Sequence, residues 1–230
     1  MRSLQIYPDY TEFAEGSVLV ECGRTKILCT AMVDESVPPF LLHSGSGWVT
    51  AEYNMLPSST PKRNIREGRR GAIKGRTSEI QRLIGRSLRA AVDMKELGPR
   101  TIYLDCDVLQ ADGGTRTASI NGSFTALYMA CAELVSKGVI DNNPVFRVVG
   151  AVSVGIVGGR THIDLDYEKD SSAEVDMNVV MDDKGRLIEI QGTAEHKPFS
   201  RAKLNEMVNA AWIAIDKIIK KQKRMLKIHV

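Results

Sequence analysis

The chain has 230 residues, 43% hydrophobic and 26% charged, and its 31 Lys+Arg against 28 Asp+Glu leave a formal net charge of +3. That is too apolar and too nearly neutral for intrinsic disorder, and 19 Gly with 8 Pro exclude collagen-like or low-complexity sequence. Residues 1–230 read as one domain with enough apolar side chains for a proper core.

The N-terminal stretch MRSLQIYPDY has no apolar core of signal-peptide length, and no run of about 18 apolar residues follows anywhere. A cytoplasmic protein without membrane contact is expected. Ser17–Val33 holds two β-rich runs around Gly23-Arg24-Thr25, a hairpin signal. HSGSGWVTAEY is a Gly/Ser loop running into a strand. Residues 57–76, PSSTPKRNIREGRRGAIKGR, lack helical apolar spacing and read as a long exposed loop.

A helix follows, with Thr77 or Ser78 as its cap and Glu79 in its first turn. Ile80, Leu83, Ile84, Leu88, Ala91 and Val92 share one face. Thr101–Val108 alternates as a half-buried strand, with Tyr103, Asp105 and Asp107 on its polar side. A second helix opens near Thr115 and ends at Lys137-Gly138. Two hairpins turn at Gly158-Gly159 and near Asp183-Lys184-Gly185, and a long helix starts at about Ser200. This order is α+β rather than regularly alternating βαβ. Cys22, Cys29, Cys106 and Cys131 form no CxxC pair and read as buried reduced thiols, not a zinc site.

The charge is segregated. Lys62–Arg76 carries seven Lys and Arg against Glu67 alone, and Asp164–Asp183 carries eight Asp and Glu against Lys169 alone. Arginine presents a planar fork to phosphate, so the basic run suits a sequence-independent grip on a nucleic-acid backbone. No aromatic interleaves with it, so it supplies no base stacking. The lysines of the last helix complement its dipole as a solvated helix end.

ADGGTRTASINGS turns a strand into a helix through Gly113 and Gly114. Helix-start amides attract anions, and Thr115 and Arg116 add a hydroxyl and a guanidinium. Neither a Walker A loop nor a GxGxxG fingerprint is present. Gly75-Arg76-Thr77 opens the other helix in the same way. Two such helix starts suggest a free phosphate held between them.

Asp170-Ser171-Ser172-Ala173-Glu174-Val175-Asp176 is the second candidate. An extended chain puts Glu174, Asp176 and Asn178 on one face, and a turn returns Asp170 to it. Converging carboxylates suit Mg²⁺ or Mn²⁺, or one of them serves as a general acid. Asp105 and Asp107 also share a face, and are expected to tether the phosphate loop through its backbone N–H groups.

GSVLVECGRTKILCTAMV, GWVTAEYNMLPSST, GRTSEIQRLIGRSLRAAVD, LDCDVLQADGGTRTASI, AEVDMNVVM and EIQGTAEHKPFS together resemble the ribonuclease PH family over nearly the whole chain. The resemblance implies a ribosomal protein S5 domain 2-like α+β fold and a homohexameric ring, a trimer of dimers. It implies phosphorolytic 3′→5′ trimming of tRNA precursors, reversible and releasing nucleoside diphosphates. It places the attacking phosphate on Arg76, Gly114, Thr115 and Arg116, a divalent cation and proton transfer at Asp170 and Asp176, and RNA guidance on Arg63, Arg66, Arg69 and Arg70. Family members usually begin with a segment like RxDGRxxDxLRPV, whereas only MRSLQIYPDY precedes the matching region here. Some RNA or subunit contacts are therefore expected to be weakened.

Overall fold

The structure is a computed structural model describing residues 1–67, 74–195 and 197–228. Strands β1 (Leu4–Pro8), β2 (Gly16–Cys22) and β3 (Thr25–Asp34) pair antiparallel in succession. The β2–β3 hairpin turns at Gly23, whose φ of +57° lies in the left-handed region that favours glycine. β4 (Trp48–Met55) and β5 (Thr101–Gln110) pair in parallel, completing a five-stranded sheet of order β1-β2-β3-β5-β4. Ile27, Cys29 and Ala31 of β3 meet Val108, Cys106 and Leu104 of β5 in register, all buried.

A parallel pair needs a crossover, and α1 (Gly75–Arg89) supplies it. Its expected face is buried through Ile80, Leu83, Ile84 and Leu88, but it starts at Gly75, before either expected cap. No side chain of its own caps it. Instead the Glu67 carboxylate accepts from the Lys74 amide (3.1 Å) and the Thr77 hydroxyl (2.8 Å). The cap comes from across the loop, so no local spacing signals it. Glu79 accordingly lies beyond the first turn. A short helix, α2 (Met94–Leu97), capped by Asp93, precedes β5.

α3 (Thr115–Ser136) packs against β2 and β3 on one side and reaches the second sheet on the other. It is therefore buried nearly all round, as a helix between two layers must be. A methyl at Gly122 would lie 2.6 Å from the Cys29 sulfur, so glycine permits this close approach. β6 (Val149–Val157), β7 (Arg160–Ile163), β8 (Val175–Asp182) and β9 (Leu187–Ala194) form an antiparallel sheet of order β7-β6-β8-β9. Its hairpins turn at Gly158-Gly159 and Gly185, all at positive φ. One turn of helix, α4 (Tyr167–Ser171), sits between β7 and β8, where no helix is expected from sequence. α5 (Arg201–Leu226) packs Met207, Ala211, Ile215, Ile218 and Ile219 against the second sheet, and the Ser200 hydroxyl caps it by accepting from the Lys203 amide at 3.2 Å. No helix among the described residues is long and apolar enough to cross a membrane. All four cysteines are free thiols, and burial pushes Cys131 up to about 12.

Asn121 is one of the side chains that join the halves. β7 pairs only with Val154–Val157, which leaves the earlier part of that β6 edge without a strand neighbour among the described residues. The Asn121 amide fills the place of one. It donates to the Ala151 carbonyl (2.9 Å) and accepts from the Ala151 amide (2.8 Å), both bonds buried. Asn121→Ala leaves a buried N–H and C=O unpaired, so chemical denaturation should show a loss of about 2–4 kcal/mol. A loss below about 0.5 kcal/mol would mean the joint is dispensable.

Candidate active site

Both sheets contribute to one cavity of about 1110 Å³. From the first comes the β5–α3 turn. Gly113 and Gly114 lie at φ +74° and +66°, and a methyl on Gly113 would fall 2.5 Å from the Leu165 carbonyl oxygen. Only glycine lets this turn lie against the segment that leads into α4. Gly114 caps α3 without any side-chain bond, so the helix-start amides remain open to an anion. The Thr115 hydroxyl oxygen accepts from the Tyr53 hydroxyl at 3.0 Å, which leaves its own proton to donate elsewhere. Arg116 reaches Glu79 of α1 at 3.1 Å, while its buried Nε finds no partner among the described residues. Arg76, in the first turn of α1, lines the same cavity.

The second sheet contributes Asp170 from α4 and Asp176 from β8, with Asn178 two residues further along that strand. Burial, and then the neighbouring Asp170 charge, push the Asp176 carboxyl up to about 6, against a partial pull down from Arg116 and Arg76. Asp170 opens to solvent at the rim, yet the protein packed around it also raises its carboxyl, with Arg76 and Arg116 opposing. Two arginines and two carboxylates thus act on one another across a single space. Glu174 does not join them. It accepts from the Gly159 amide at 2.8 Å and so steadies the β6–β7 hairpin, contrary to the alternation expected from sequence.

Most of the acidic segment does similar structural work. Asp164 pairs with Arg2, Asp166 caps α4 and bonds Lys169, Asp182 holds its own hairpin through Arg186, and Asp183 pairs with Lys223. The expectation for Asp105 and Asp107 also fails. Neither bonds the Gly113–Gly114 turn among the described residues. The Thr25 hydroxyl tethers it instead, donating to the Gly113 carbonyl (2.7 Å) and accepting from the Asp112 amide (2.9 Å). Asp105 and Asp107 belong to the polar side of β5, as the alternation requires, where burial raises both carboxyls, with Glu52 adding at Asp105 and Arg66 opposing at Asp107. Arg63 lines the cavity, and Arg69 and Arg70 lie outside the described residues.

Sequence reading missed Arg2, Tyr53 and Glu67. Tyr53 had a signal, because an inward tyrosine on an alternating strand must find a partner for its hydroxyl. Arg2 acts 162 residues away and Glu67 across the loop before α1, and neither pairing has a fixed spacing that would signal it.

The family model described as "3' exoribonuclease family, domain 1" matches residues 1–133, and that for domain 2 matches residues 147–213. Ribonuclease PH of Syntrophomonas wolfei is 56% identical over 226 residues, 98% of this chain and 95% of its own. Ribonuclease PH of Neisseria meningitidis serogroup B is 54% identical, over 98% and 93%. The chain belongs to the ribonuclease PH family of 3′ exoribonucleases. As a ribonuclease PH family member it is a phosphate-dependent 3′→5′ exoribonuclease, a nucleotidyltransferase that releases nucleoside diphosphates. Solved structures share the fold at lower identity. A structure described as the Archaeoglobus fulgidus exosome with RNA bound to the active site matches with TM-score 0.80 at 20% identity, over 96% of this chain and 88% of that one. Rice Rrp46 matches with TM-score 0.78 at 15% identity, over 98% and 95%.

The raised Asp176 carboxyl predicts a pH effect on stability. It holds its proton up to about 6 in the folded chain, against an ordinary value of 3.8, so ionising it opposes folding. That cost is absent below about 4 and complete above about 6. Asp176→Asn should therefore be more stable than the parent at pH 7 in a chelator, and the difference should vanish near pH 4. Parallel unfolding curves at both pH values would contradict the assignment.

Proposed function

We propose that inorganic phosphate binds between the starts of α1 and α3, on Arg76, Arg116, Thr115 and the amides after Gly114. Its oxygen forms a bond to the terminal phosphorus of RNA as the P–O3′ bond breaks. The departing 3′ oxygen takes a proton, and a nucleoside diphosphate leaves with RNA one residue shorter. The observation that carries this reading is the convergence of Arg76, Thr115 and Arg116 with Asp170 and Asp176 on one cavity. Holding an anionic nucleophile against an anionic bond is catalysis by positioning and charge stabilisation.

Asp176 is the proton donor, because a carboxyl near 6 is partly protonated at neutral pH. The same two carboxylates fit Mg²⁺ or Mn²⁺, since both are oxygen donors whose mutual repulsion is relieved by a cation as well as by a proton. When bound beside Asp170 and Asp176, the ion would supply charge neutralisation at the scissile group. Arg63 and Arg66, with Arg69 and Arg70, guide the RNA backbone by phosphate contacts. We read residues 1–230 as a single catalytic unit, because the cavity takes lining residues from both sheets. tRNA precursors as substrate, a homohexamer built as a trimer of dimers and a cytoplasmic location complete the proposal. The exosome assemblies named for the structural neighbours support a multi-subunit form.

Arg116→Ala should cut phosphate-dependent release of nucleoside diphosphates by about 10²–10³-fold, with the melting temperature little changed. Parental turnover in that variant, or monophosphate products formed without phosphate, would reject the site.

A further inference from the structure

Tyr167 is the only aromatic among the described residues on the cavity wall, and it is 67% exposed. Its hydroxyl has no hydrogen-bond partner and its ring no stacking or cation–π partner among the described residues, so it is spent on no internal contact. Its base is nonetheless rigid. Asp166 caps α4 through the Lys169 amide at 2.9 Å, and the Gly113 turn packs so closely that a methyl there would lie 2.8 Å from the Tyr167 nitrogen. Tyr167 and Asp170 are three residues apart on α4, the spacing that puts two side chains on the same side of a helical turn. A large ring on a fixed mount, one turn from the acid pair and against the phosphate turn, faces open solvent.

We propose that Tyr167 binds the base of the 3′-terminal nucleotide by stacking. This inference rests on the RNA site described above and adds to it the surface that grips the base. Every base has a π-face, so stacking holds a terminal nucleotide whatever its identity. That suits an enzyme which must remove successive residues of any sequence. With the base on Tyr167, the terminal phosphodiester falls on the side of Asp170 and Arg116, so the ring is also a positioning group for the bond to be cut. The basic loop lacks aromatics, and this side chain supplies the stacking that the loop does not.

The test uses a short RNA carrying 2-aminopurine at its 3′ end, mixed with the full chain without phosphate. The parent should quench the fluorophore, and Tyr167→Phe should quench equally, because the ring and not the hydroxyl does the work. Tyr167→Ala should lose the quench and bind about tenfold more weakly. An RNA ending in an abasic residue should bind the parent and Tyr167→Ala alike. Tyr167→Leu, apolar but without a π-face, should behave as alanine and guards against a folding defect in that variant. Unchanged quenching and affinity in Tyr167→Ala would overturn the inference, as would Tyr167→Phe failing as badly as alanine. Failure of the parent itself to yield nucleoside diphosphates from RNA and phosphate would instead overturn the RNA site on which the inference rests.

Discussion

The Arg2–Asp164 fork is the contact on which the site depends. Asp164 follows β7 at a φ of +61° and is almost wholly buried. Arg2 meets it with a backbone amide at 2.6 Å, with Nε at 3.1 Å and with a terminal nitrogen at 2.6 Å. The same guanidinium donates to the carbonyls of Asp112 and Leu165. One side chain thereby ties the start of the chain, the β5–α3 turn and the segment leading to α4. A buried charge-assisted fork of this kind is costly to break, because either partner left alone is an uncompensated buried charge. Arg76 rides on α1 and Thr115 and Arg116 on α3, whereas Asp170 rides on α4 and Asp176 on β8. Without a rigid tie, neither half holds a complete site.

This explains how a chain of small net charge runs phosphate chemistry. The +3 total conceals two opposed fields, and the structure spends them unequally. The basic loop keeps Arg63 facing the cavity, whereas most of the acidic segment is consumed by caps, hairpins and ion pairs. What remains facing the cavity is a pair of carboxylates, Asp170 and Asp176, set against a pair of guanidiniums, Arg76 and Arg116. The raised carboxyls record the cost of that arrangement in stability, which a proton offsets.

The strands from β2 onward, the three longer helices and the hairpin turns were legible because their signals are local, whereas β1 was not read from the sequence. Period-2 alternation marks β5, glycine pairs mark the turns, and the 3.6-residue apolar repeat marks α1 and α5. The Gly113–Gly114 turn that opens α3 was legible for the same reason. What escaped is what long-range contacts decide. Glu67 caps α1 from beyond its first residue, so the start was placed late. Thr25, 87 residues from Asp112, tethers the turn for which Asp105 and Asp107 looked closer candidates. Glu174 obeyed no alternation because the strand begins only at Val175, leaving it free to bond the neighbouring hairpin. α4 is too short to carry a periodic signal, and with it Tyr167 was invisible.

The central claim is that the fork aligns two half-sites, and Arg2→Lys tests it most directly. Lysine keeps the positive charge but cannot span Asp164, Asp112 and Leu165 together. Turnover is measured at saturating RNA and phosphate, at a temperature where circular dichroism shows the variant folded. The account predicts a fall of about tenfold or more, as expected when reacting groups are misplaced by a fraction of an ångström to an ångström. Parental turnover in the folded variant would contradict it.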